Sequence, residues 1–217
     1  MIERIIRIAA MVLVPAALGA QQTTVERAVN AYAKIRTVRA AFTQTLTNPL
    51  TRSDVTSHGE LQQQVPGHVA VRFSDPAGDR IVADGKVVWL YLPSTNPGQV
   101  IKAHVGDGSA QVPDIMSWFL DSPARRYTIT DAGAARIAGH ATHAVLLVPR
   151  DASLPFAKAT VWVDDDDALI RQVETVDTNG LMRRITLTQI TPNATLDRDA
   201  FTFKVPKGVK VYEQGTT

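Results

Sequence analysis

A chain of 217 residues, 45% hydrophobic and 20% charged, has the composition of a globular protein with room for one sizeable core. Its 23 Lys and Arg nearly balance 21 Asp and Glu, and no basic stripe is interleaved with aromatics, so nucleic acid is excluded as a partner and an anionic membrane is not required. Cysteine is absent, which excludes a disulfide framework and leaves stability to burial alone.

Residues 1–20 have the pattern of a secretory leader. Arg4 and Arg7 give a positive start, Ile5 to Leu18 is an apolar run, and Gly19 and Ala20 are small. The run is shorter than the roughly 20 residues of a membrane span, so cleavage near Gly19 or Ala20 is expected. No lipidation cysteine follows it. The expected product is a soluble, exported, monomeric protein with one domain, residues 21–217.

Thr23 or Thr24 is placed to cap a helix in which Val25, Ala28, Val29, Tyr32 and Ile35 recur at helical spacing. From Phe42 the spacing changes to alternation, with Phe42, Gln44 and Leu46 on one face. Strands are predicted over Ser57 to Gln63 and Val69 to Phe73; Val69, Val71 and Phe73 share a face and Arg72 points the other way. Asp84-Gly85 is a hairpin turn joining Arg80–Ala83 to Val87–Tyr91, and the second of these is apolar on both faces, so both should be covered. Gln99 to Lys102 is a further short strand, and the glycine-rich Val105 to Ser109 lacks the lysine of a phosphate loop.

The stretch Val112 to Leu120 differs from its surroundings. On a helix at ~100° per residue, Ile115, Met116, Trp118, Phe119 and Leu120 cover a wider arc than one core-facing stripe needs. Among strands, such a helix is either a plug in the core or a lid over something apolar. Asp121-Ser122-Pro123 should stop it. Strands resume over Tyr127 to Thr130, His143 to Pro149, Ala157 to Val163, Leu169 to Val176 and Leu181 to Ile190, and Phe201 to Phe203 alternates again. Asn179-Gly180 marks the best late hairpin. The fold class is mainly β with a few helices (α+β), built on one strongly curved antiparallel sheet.

Little in the chain suggests bond chemistry. His140 and His143 are three apart, which on a strand places them on opposite faces, poorly set to share a metal. Asp164 to Asp167 lacks the alternate spacing and central glycine of a calcium loop, and is expected to be a solvated turn. Neither Ser109 nor Ser117 lies in a nucleophile elbow. The expectation is a binding protein without metal or cofactor, and not an enzyme.

Phe42-x-Gln44, Gly59-x-Leu61, Asp84-Gly85-Lys86, Trp89-x-Tyr91-x-Pro93 and Gln99-Val100 are followed by Asp177-x-x-Gly180, Asn193, Phe201-x-Phe203 and Pro206-x-Gly208-Val209. In that order and spacing, across nearly the whole chain after the leader, they resemble the periplasmic outer-membrane lipoprotein carrier family (LolA-like proteins). The resemblance implies an incomplete antiparallel barrel with helices forming a lid over an apolar cavity. It also implies a carrier that takes acylated lipoproteins from an inner-membrane ABC-type lipoprotein-releasing complex to an outer-membrane lipoprotein acceptor. A lipid- or lipoprotein-sensing periplasmic regulatory domain of the same fold is the second reading; a lipid hydrolase would need a triad that the sequence does not spell.

Placed on that architecture, the candidate cavity residues are Phe42, Val69, Val71, Phe73, Trp89 and Tyr91, and those of the lid are Ile115, Met116, Trp118, Phe119 and Leu120. Phe119→Glu is then expected to abolish cargo retention in a protein that still folds. The family commonly carries an arginine before the proline that follows the strand at Gly59, where it latches the lid through the lid backbone. Here that position is Val65, so the latch is missing, or Arg72 substitutes for it, or the chain is a divergent branch with altered cargo.

Overall fold

Alternation dominates the chain, and it folds as one twelve-stranded sheet in the order β12-β6-β5-β4-β3-β2-β1-β11-β10-β9-β8-β7. The strands are β1 (Thr37–Asn48), β2 (Ser53–Gln64), β3 (His68–Asp75), β4 (Arg80–Asp84), β5 (Val87–Tyr91), β6 (Gln99–His104), β7 (Tyr127–Ile137), β8 (His140–Pro149), β9 (Lys158–Asp164), β10 (Ile170–Val176), β11 (Met182–Pro192) and β12 (Lys210–Gln214). Helix α1 (Ala16–Tyr32) precedes them, and α2 (Ile115–Leu120) and α3 (Pro123–Arg126) stand between β6 and β7. This computed structural model describes residues 16–106, 114–151 and 154–214, with backbone alone for 16–23, Ile115 and Met116. Of the expected leader, residues 1–15 lie outside the described residues, as do 107–113 of the connection into α2.

Two antiparallel meanders, β1 to β6 and β7 to β11, are joined where β1 pairs with β11. The sheet curls strongly, and its edge strands β7 and β12 do not pair, so the barrel is incomplete. Each hairpin is set by its turn. At the β4–β5 turn the amides of Lys86 and Val87 donate to Asp84 Oδ1 at 2.9 and 2.8 Å. At the β10–β11 turn Asp177 Oδ1 accepts from Leu181 N at 2.9 Å, and Gly180 supplies the positive φ of +87° that the turn needs.

Several expectations are corrected. Helix α1 is already running at Ala16, so neither Thr23 nor Thr24 caps it. It ends at Tyr32, and the Ile35 amide bonds Tyr32 O at 3.0 Å in a tightened last turn that still leaves Ile35 buried. Pro123 does not only stop α2; it opens α3, where its missing amide costs nothing. Phe201 to Phe203 is not a strand; the last strand is β12, which pairs parallel with β6 in a sheet otherwise antiparallel.

The Asp164–Asp167 turn is not simply solvated. Asp164 is 1% exposed, accepts from Asp166 N at 2.8 Å and Arg171 Nε at 2.7 Å, and lies 2.8 Å from His140 Nδ1. Burial alone would raise its carboxyl, but these donors outweigh that and hold its pKa below the usual value. His143 faces Asp131 instead, at 2.7 Å. Among the described residues no helix is long and apolar enough to cross a membrane.

Candidate functional site: an apolar cavity beside a short helix

The inner face of the sheet carries two apolar clusters. On β7 to β10, Tyr127, Val145, Leu147, Val161, Val163, Ile170 and Val173 are sealed by Val25, Ala28 and Tyr32 of α1 and Phe119 of α2. On the other half, Ala40, Phe42, Leu61, Val69, Ala83, Val88 and Leu187 form a buried floor, with Val71, Phe73, Ile81 and Ile185 only partly covered. Between them lies a cavity of about 300 Å³. That is the low end of the ~300–1,000 Å³ of small-molecule sites.

The floor of the cavity is Phe42, Leu61, Val71, Phe73, Ile81, Ile185 and Leu187; Trp118 and Phe156 form a wall. Registry explains the floor: Leu61 faces Val71 and Val71 faces Ile81 across three strands, while Phe42 faces Leu187. Directly paired residues share a face of a sheet. Gly59 sits opposite Phe42, where an added Cβ would meet Phe42 Cε1 at 2.8 Å and Arg72 O at 2.2 Å. Only glycine lets the Phe42 ring lie there, and Phe73 then packs edge-on against it at 5.3 Å.

Gln44, Thr175, Asp177, Leu181 and Arg183 complete the lining, with exposed Pro155 at the rim. Arg183 lines the cavity with its side chain exposed to solvent; partial desolvation by the neighbouring lining lowers its pKa, and the Asp177 charge opposes that.

Helix α2 turns out to be plug and wall together. Phe119 is 2% exposed and stacks on Phe156 at 5.6 Å in the closed half, whereas Trp118 faces the cavity. Phe119 is core rather than lid surface, so a charge there would be buried, and the expectation is corrected: Phe119→Glu should unfold the protein instead of leaving it folded. Leu120 packs partly buried against the same core. The side chains of Ile115 and Met116 lie outside the described residues.

The helix is held at both ends. Asp114 caps it by accepting from Ser117 N at 2.9 Å, and Gln63 Nε2 of β2 donates to the same carboxylate. Arg126 Nη1 donates to Ser117 O at 2.9 Å, and the Tyr127 hydroxyl donates to Trp118 O. Burial pushes the Tyr127 phenol up to about 12. Val65 instead packs against the closed-half core. Arg72 does not substitute for the latch: its Nη2 donates to Ala200 O at 2.9 Å, away from α2, on the outer face.

Of the sequence-predicted cavity residues, Phe42, Val71, Phe73 and Trp118 come together. Val69 shares their face but is fully buried beneath them. Trp89 and Tyr91 are corrected: both lie one residue out of phase with Leu90, which pairs with cavity-lining Ile81, and so face outward. There Phe203 stacks on Trp89 at 5.3 Å, and Arg80 lies 5.5 Å over the Tyr91 ring. The sequence reading missed the β11 contribution, although Arg183, Ile185 and Leu187 of β11, with Leu181 just before it, alternate plainly. Phe156 carried no periodic signal, since it lies in a connection between strands.

The family model for the outer membrane lipoprotein carrier protein LolA matches residues 33–204. An outer-membrane lipoprotein carrier protein of Methylibium petroleiphilum is 28% identical over 195 residues, covering 84% of this chain and 85% of its own. Another, of Bordetella avium, is 27% identical and covers 97% and 96%. The solved structure of an uncharacterized conserved protein from Thermus thermophilus matches with a TM-score of 0.56 at 12% identity, covering 89% of this chain and 99% of that one, a likeness of fold.

Proposed function

The chain belongs to the outer membrane lipoprotein carrier family LolA, and on that footing we propose that it is a periplasmic carrier that shields the acyl chains of lipoproteins in the cavity beside α2. In this reading an inner-membrane ABC-type complex loads it and an outer-membrane acceptor unloads it. The observation that carries the reading is an apolar floor, buried at Phe42 and Leu187 and only partly covered at Val71, Phe73, Ile81 and Ile185, walled by Trp118. Covering such a surface with hydrocarbon gains ~0.8 kcal/mol per buried CH₂. A sixteen-carbon chain then gains on the order of 12 kcal/mol before ordering costs are subtracted.

Binding is thus the easy step and release the hard one. The cavity is small as it stands, so more than one chain requires α2 to move. The ties to Gln63, Arg126 and Tyr127 set the energy of that motion, and a donor or acceptor acts by binding one position of α2 better than the other. The protein purified from its own periplasm and weighed as intact complexes tests the reading. Stoichiometric acylated protein is the expected result. Free lipid alone would favour a sensor or lipid shuttle, and time-dependent ester cleavage an enzyme; either overturns the proposal.

A further inference from the structure

The cavity has a direction. Along β1 the inward residues run Phe42, Gln44, Leu46, and along β11 they run Leu187, Ile185, Arg183; the register pairs Phe42 with Leu187, Gln44 with Ile185 and Leu46 with Arg183. Ser57 lies beside Gln44 on β2, and Thr175 beside Arg183 on β10. The apolar residues therefore gather toward Trp118, and the polar ones toward the hairpin end of the same four strands.

These polar groups are linked. Arg183 Nη1 donates to Gln44 Oε1 at 3.2 Å, and Gln44 Nε2 donates to Ser57 Oγ at 3.2 Å, with Gln44 and Ser57 both buried. Next along β11, Arg184 faces outward and meets the Glu174 carboxylate through Nε and Nη2 at 2.9 and 2.6 Å. Arg183 faces inward and, among the described residues, has no carboxylate at ion-pair distance. Its bond to Gln44 leaves Nε and Nη2 available, in a fork that matches a carboxyl oxygen pair or a carbonyl. A cation hydrogen-bonded to a neutral amide at the rim of an apolar cavity, with the Asp177 charge nearby but not at ion-pair distance, is a seat for the polar end of an amphiphile.

We infer that Arg183, positioned by Gln44 and Ser57, receives the acyl carboxyl group of the cargo, an ester carbonyl or a free carboxylate, while the hydrocarbon runs inward over Phe42, Ile185 and Leu187 toward Trp118. This rests on the carrier reading and adds to it an orientation and a head-group preference. The acyl chain enters tail first, and the polar backbone of the cargo stays at the rim.

Displacement of the uncharged dye N-phenyl-1-naphthylamine by dodecanoate, methyl dodecanoate and n-dodecane tests it on the parent, Arg183→Leu and Arg183→Gln. Arg183→Leu should weaken dodecanoate about tenfold and the methyl ester several-fold, and leave n-dodecane unchanged. Arg183→Gln, which keeps a neutral donor, should restore part of the ester affinity and little of the carboxylate affinity. Loss confined to dodecanoate would assign the seat to free fatty acid; loss extending to the ester would assign it to acylated cargo. Equal affinities in parent and variants, or a common loss of all three ligands, overturn the inference while leaving the carrier reading in place. A parent protein that takes up neither dye nor ligands overturns both.

Discussion

The two halves of the inner sheet face use the same residues to opposite ends. Under α1 and α2, Tyr127, Val145, Leu147 and Ile170 are each at most 1% exposed and Phe119 2%. Across the sheet Val71, Phe73, Ile81 and Ile185 have the same alternation and the same chemistry, yet stay half-covered around a cavity. The closed half gains the dispersion contacts of a dense core. The open half forgoes them and keeps that attraction for a ligand. Apolar composition is thus common to both; what covers each half separates a core from a binding site.

Truncation should separate the halves most strongly. Phe119→Ala should cost about 3–5 kcal/mol in denaturant unfolding, as for other buried aromatics. Ile185→Ala should cost about 1 kcal/mol, since its surroundings are already incomplete. Comparable costs would mean that the cavity is packed as tightly as the core.

Asp164 closes the far end of the sealed half, between β9 and β10. Asp164→Asn should lose about 2 kcal/mol at pH 7, because Arg171 is left buried with a weakened partner. A depressed carboxyl pKa stabilises fully above its unfolded value, 3.8, and its contribution is lost as the pH falls through the folded value. The melting difference between parent and variant should therefore be large at pH 7 and shrink below pH 3.8. A difference constant with pH would show that the carboxylate charge is not the stabilising feature.

Gln63 lies on the seam between the halves. Gln63→Leu removes the tie from β2 to Asp114 and should cost about 1 kcal/mol. It should also speed dissociation of an acyl probe several-fold in stopped-flow; an unchanged rate would separate that bond from α2 motion. The smallest effect on stability is expected where the open half is filled. Ile185→Phe should change stability by less than about 1 kcal/mol and abolish dye uptake, turning the open half into a copy of the closed one.

Much of this architecture was legible locally. Alternation on β1 and β3 gave the inward set of Phe42, Val69, Val71 and Phe73, and Asp84-Gly85 and Asn179-Gly180 marked the β4–β5 and β10–β11 hairpins. The face of β5 was not legible, because Val87 to Tyr91 is apolar at every position and its outer side is covered by Phe203, more than a hundred residues further on. Arg183 is as alternating as its neighbours, but that its charge turns inward to Gln44, while the charge of Arg184 turns outward to Glu174, depends on pairing with β1 and β10.

The short helix shows the same division. Its width of apolar surface was plain in the sequence and allowed either a plug or a lid. Tertiary structure divided it, with Phe119 against Phe156 in the core and Trp118 over the cavity. It also supplied holders no local pattern announced, Gln63 from β2 and Tyr127 from β7. By itself the sequence determined the family, through motifs in order along the chain, and the strands and turns other than β12, since those depend on side chains two to four positions apart. Which apolar face becomes core and which becomes cavity was decided only by the fold, because burial belongs to whatever arrives from elsewhere in the chain to cover it.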